Sequence, residues 1–141
     1  MKEKPEVGKA ILFSLVGIVA FILCEIVVTL VIGLLFALFL HIPILKNVVS
    51  FIFNIRGDTP DFLALLIGIV AAYNAVVWMI SRFCNSKATE SLSLEICGIT
   101  LFVFHVLFFF VNLIGHNGIT ANILTLIAAF IMAMRGVSMK Q

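Results

Sequence analysis

Two ionisable residues sit where ionisable residues cost most. Glu25 is the one charge between Ala10 and Leu40, and His105 lies near the centre of a later apolar run. A carboxylate at mid-bilayer costs at least ~2.5–3.5 kcal/mol on insertion scales, so Glu25 should face protein or water rather than lipid. Three roles fit it. It is a proton or cation site, a partner for polar groups of a substrate, or a structural partner paired with His105 or hydrogen-bonded to Asn74. His105 fits a site or a neutral imidazole hydrogen-bonded inside a bundle. Asn74, Asn112 and Asn122 place amides in apolar stretches, where they serve as interhelical hydrogen bonds or as ligands. Arg82 and Arg135 each close an apolar run. They form either the usual basic flank or a pair that holds phosphate at headgroup depth, where the guanidinium fork suits the geometry. Tyr73 and Trp78 read as packing residues or interfacial anchors.

Other chemistry lacks its residues. No nucleophile is paired with a base, no glycine-rich phosphate loop occurs, and no metal-ligand cluster is spaced for coordination, so neither an enzyme nor a cofactor is expected. No basic patch supports nucleic-acid binding. Cys24, Cys84 and Cys97 show no metal spacing, and an odd number closes no disulfide framework.

The elements that must position these residues are membrane helices. Of 141 residues, 63% are hydrophobic and 11% charged, beyond any soluble composition. The expectation is an all-α membrane protein: a single domain over 1–141 with four transmembrane helices and one outer interfacial amphipathic helix. No cleavable signal peptide is evident, because the first apolar run is too long for one. That run, Ala10–Leu40, would reach ~46 Å as a helix against the ~30 Å hydrocarbon core, so it must tilt, kink or protrude. Ser14, Phe21, Glu25, Thr29 and Gly33 recur at helical spacing and mark its inward face.

Pro43 can open a new helix at its first turn. From Ile44 to Ile55 the polar residues Lys46, Asn47, Ser50 and Asn54 recur every three or four positions, which predicts a short helix lying in the outer interface. A turn over Arg56–Asp61 follows, with Thr59 as the cap of the next helix. The second span is expected over Asp61–Ser81, with Ala64, Gly68 and Ala72 making a flat strip for close approach. A polar loop then reaches Ser93. The third span, Leu94–Ile114, is rich in Phe and places Gly98, His105 and Asn112 on one face. Gly115–Gly118 predicts a tight turn into the fourth span, Ile119–Met134, with a ladder of Ala121, Thr125, Ala129 and Ala133. Spans one and two, and three and four, form a weak two-helix repeat: a helix with a central ionisable group, then a small-residue ladder ending in Arg. Seven Lys and Arg residues (2, 4, 9, 82, 87, 135 and 140) fall on one side against Lys46 and Arg56 on the other, which predicts a multi-pass protein of the cell membrane with both termini cytoplasmic.

Three stretches carry a resemblance: Leu12-Phe13-Ser14-Leu15-Val16-Gly17 opening span one, with an acidic residue some two turns later; Ala71-Ala72-Tyr73-Asn74 through Trp78-Met79-Ile80-Ser81-Arg82; and a second half that repeats the pattern and ends at Arg135. The order of these pieces resembles the GtrA-like family of small four-span membrane proteins, which typically has Asn where Ser81 stands. The resemblance implies flipping of a polyprenyl-phosphate-linked sugar, or assistance to it, in cell-surface polysaccharide or teichoic-acid glycosylation. A membrane glycosyltransferase and the sugar lipid would be its partners. The residues expected to bind substrate are then Glu25, Asn74, Trp78, Arg82, His105, Asn112 and Arg135. Two alternatives stand beside it. The chain is similar in size, span number and single first-helix Glu to small proton-coupled multidrug exporters. It also fits a non-transporting assembly subunit of a membrane glycosyltransferase. A bundle this small encloses little volume, so either transport reading calls for a homo-oligomer or a partner.

Overall fold

A computed structural model describes residues 4–44, 47, 59–115 and 119–140, with backbone alone at 59–61, 112–115 and 119–121. These residues form four helices: α1 (Val7–His41), α2 (Thr59–Phe83), α3 (Lys87–Gly115) and α4 (Ile119–Ser138). Three stretches, Val7–His41, Phe62–Phe83 and Lys87–Val111, are long and apolar enough to cross a membrane, and Asn122–Ser138 is a shorter apolar helix. An all-α membrane protein follows. Helical backbone resumes at Pro43 and Ile44. Apart from Asn47, which is helical, the rest of the expected interfacial helix, and the Arg56–Asp58 and His116–Gly118 parts of the two turns, lie outside the described residues.

Apolar surface gains nothing by moving from lipid to a helix interface, so close approach and interhelical hydrogen bonds must hold this bundle. The pattern of small residues shows where. A Cβ on Gly98 would meet the backbone of Ala129 and Ala133, 2.7 Å from the Ala129 carbonyl oxygen and 2.8 Å from the Ala133 Cα. One on Gly136 would meet Ser91 and Glu95 in the same way, and the Ser91 hydroxyl donates to the Gly136 carbonyl at 2.6 Å. These contacts zip α3 to α4 nearly backbone to backbone. Gly68 does the same for α2 against Glu25 and Thr29 of α1. The expected ladder residues Ala64, Ala72, Thr125 and Ala129 are all buried.

The tightest pairs are therefore α1 with α2 and α3 with α4. The two hairpins stand side by side through α1 against α3, with lighter contact of α2 with α4 and α3, and α1 and α4 lie on the long diagonal. The parallel helices α1 and α3 keep a constant register. The Ser14 hydroxyl lies 2.6 Å from the Ala10 carbonyl and 2.9 Å from the Ser93 carbonyl across the interface. Three residues on, Gly17 meets the Cys97 sulfur, Val76 and Ile80. The same register carried two turns further sets Glu25 level with His105.

One expected boundary is wrong. The polar stretch up to Ser93 is not a loop, because α3 starts at Lys87 and only Cys84–Ser86 link it to α2. Ser86 caps the helix, accepting from the Thr89 amide at 3.2 Å, a local signature that the polar composition hid. Thr89, Ser91 and Ser93 are buried, and their hydroxyls are spent on contacts within and between helices. Thr89 takes the Glu6 amide at 3.1 Å and Ser93 donates to the Thr89 carbonyl at 2.7 Å. These bonds gather the N-terminus and the α2–α3 link at one end of the bundle. Lys140 pairs with Glu95, so the C-terminus lies there too.

Candidate functional site

The site begins on α1. Its buried residues Ala10, Ser14, Gly17 and Phe21 follow the expected inward stripe. Glu25 and Thr29 continue that stripe, partly buried, whereas the space beside Gly33 is open. At the level of Glu25, α2 presents Gly68, whose missing side chain leaves room for the Thr29 hydroxyl. The Glu25 carboxylate crosses the long diagonal to hydrogen-bond with the side chain of Thr125 on α4, and His105 on α3 stands near enough to act on its charge. The His105 Nδ1 lies 2.8 Å from the Leu101 carbonyl of its own helix. That bond needs Nδ1 to carry a proton and leaves Nε2 as the ring nitrogen that can take part in other contacts. One turn from Thr125, the Asn122 amide nitrogen is buried with no hydrogen-bond partner, as is the Thr29 hydroxyl one turn from Glu25. Glu25, Thr29, His105, Asn122 and Thr125 thus form one polar layer drawn from three helices. It can bind hydroxyls, water or a proton.

The other expected residues lie elsewhere. Asn74 is exposed and donates to the Val70 carbonyl at 2.8 Å, so it does not partner Glu25. Trp78 is 67% exposed. Arg82 is exposed at the end of α2, two and a half turns after Tyr73 and so on the opposite side of the helix. Arg135 is exposed near the end of α4. The side chain of Asn112 is outside the described residues. The sequence marks Thr125 only as a rung of a small-residue ladder. The signal that marks it is a hydroxyl at the one rung level with both ionisable residues.

Two grooves open elsewhere on the bundle. An apolar one of about 180 Å³ runs between α2 and α4, lined by Leu66, Ile69, Val70, Tyr73, Leu124, Ile127, Ala128 and Ile131. A wider one of about 470 Å³ opens at the terminal end, bordered by Pro5, Lys87, Ser91, Met139 and Lys140 among others. Among the described residues no cluster of His, Cys, Asp or Glu could hold a metal ion. Comparison with protein families, with characterised proteins and with solved structures finds no match to this chain.

Proposed function

We propose that the protein moves a polyprenyl-phosphate-linked sugar across the cell membrane, or assists a membrane glycosyltransferase in doing so, for glycosylation at the cell surface. The observation that carries this reading is the polar layer of Glu25, Thr125 and His105, which brings two ionisable side chains together part-way along the helices. A sugar is the polar cargo such a layer suits, because a carboxylate and an imidazole accept from hydroxyls while Thr and Asn can both donate and accept. The buried, unpartnered Asn122 amide supports the same view, since a donor left unsatisfied costs on the order of 1–3 kcal/mol unless something polar meets it. Four spans with cytoplasmic termini, a second copy to widen the path, and the GtrA-like resemblance complete the proposal. A second reading, a proton-coupled exporter of small cations, is favoured by the nearness of two titratable groups, Glu25 and His105.

Glu25→Gln tests both. It keeps the shape and the acceptor for Thr125 and removes the charge, so the protein should fold and melt as before yet fail to deliver sugar to the outer surface. Full delivery by a well-folded Glu25→Gln protein would sink the proposal. Loss of cation resistance with sugar delivery intact would establish the second reading instead.

A further inference from the structure

We infer that the groove between α2 and α4, with Arg135 at its mouth, is the binding site for a single hydrocarbon chain carrying a phosphate, the membrane end of the lipid-linked cargo. The inference rests on the translocation reading for its cargo but on separate residues for its geometry. The groove lining is wholly side chains of Leu, Ile, Val, Ala and Tyr. It runs from Leu66 to Tyr73 on α2 and from Leu124 to Ile131 on α4. Eight residues of helix, seven rises, make it roughly 10 Å long, enough for the first few carbons of a chain and too narrow, at about 180 Å³, for the paired chains of a bilayer phospholipid.

Charge sets the direction. Leu124, Ala128 and Ile131 repeat at helical spacing, and the next residue on that stripe is Arg135, one turn nearer the terminal end. Arg135 makes no ion pair among the described residues; the nearby Lys140 is already paired with Glu95. The opposite face of α4 is committed to α3 through Ala129, Ala133 and Gly136. A phosphate at Arg135 therefore places its chain along the groove toward the middle of the helices, and the guanidinium can hold two phosphate oxygens at once. Arg82, facing away from the groove, has no such chain site beside it.

The full-length protein in detergent micelles, titrated with geranylgeranyl phosphate, geranylgeraniol or inorganic phosphate, provides the test. Native mass spectrometry counts the bound molecules. The phosphate ester should bind one per groove, the alcohol more weakly by about tenfold, as expected for loss of a charge-assisted bidentate contact, and inorganic phosphate should not compete. Arg135→Gln should lower affinity for the ester to that of the alcohol and leave the alcohol unchanged. Ile131→Trp, at a half-exposed position lining the groove, should block both while thermal melting shows the variant folded. Equal binding of ester and alcohol, unchanged binding in Arg135→Gln, or equal displacement by a two-chain phospholipid would each overturn the inference. Sugar delivery separates it from the broader reading: lost delivery in Glu25→Gln with ester binding intact is expected. Ester binding absent while delivery continues would remove the groove and leave the translocation reading standing.

Discussion

Cys84 shows how much the terminal end of the bundle differs from open water. Its thiol lies in the short link between α2 and α3, partly buried, 3.7 Å from the Ser93 hydroxyl. Burial pushes its pKa up, the Ser93 contact pulls it partly back, and the Glu90 carboxylate raises it again. Removing a proton there creates an anion in a poorly solvated place beside another anion. A charged, membrane-impermeant maleimide should therefore label Cys84 with a half-maximal rate at a pH above that of an ordinary thiol. Limited access slows the rate without moving that midpoint, so the midpoint isolates the electrostatics. Glu90→Gln keeps an acceptor for the Ser81 hydroxyl and removes the like charge, so it should lower the midpoint, whereas Ser93→Ala should raise it. An ordinary midpoint in the unaltered protein would contradict this account of the link. The residue scale is also where the sequence was most informative. Glu25 and His105 stand out because charge is scarce in such a chain. Their common level and their shared neighbour Thr125 required the α1–α3 register, which no local spacing encodes.

At the scale of helices, glycine positions divide into those that set a helix distance and those that do not. Gly98 faces backbone atoms of α4 that cannot swing aside, whereas nothing lies within 4 Å of a Cβ on Gly33. Gly98→Ala should force α3 and α4 apart and destabilise the bundle by about 1–3 kcal/mol, the range for overpacking. Gly33→Ala should be neutral or gain up to ~1 kcal/mol from helix propensity. Thermal melting in one detergent compares the two variants directly, and indistinguishable melting would mean that the α3–α4 zipper does not determine stability. Helix existence was legible in the apolar runs, and the small-residue strips announced which faces meet. The start of α3 was not legible, because Thr89, Ser91 and Ser93 look like loop residues until their hydroxyls are seen bonded across and within helices. Buried hydroxyls in a membrane helix carry the cohesion that apolar residues cannot supply there, so a polar stretch beside a span is as compatible with a helix as with a loop.

For the molecule as a whole, the decisive feature is that the basic residues among those described collect at one end. Contacts of Glu6 with Thr89 and of Lys140 with Glu95 tie the N-terminus, the α2–α3 link and the C-terminus together. Lys4, Lys9, Arg82, Lys87, Arg135 and Lys140 therefore share one end of the bundle, where Glu6 pairs with Lys9, Glu95 pairs with Lys140, and Glu90 is the further carboxylate among the described residues. Because this end is one assembled surface, its charges act on orientation together rather than helix by helix. Both termini should then be cytoplasmic, with the α3–α4 turn on the outer side. A reporter fused after Gln141 should give an inside signal and one inserted between Gly115 and Gly118 an outside signal. On the proposed function, the same orientation would place Arg135 and the mouth of the α2–α4 groove at the inner leaflet, whose lipid headgroups meet the face on which a cytoplasmic enzyme would attach a sugar. An outside signal after Gln141 would reverse the molecule and put the phosphate site on the wrong leaflet for loading. A mixed signal at both positions would instead mean that the two orientations coexist, which in a homo-oligomer would pair grooves opening to opposite leaflets.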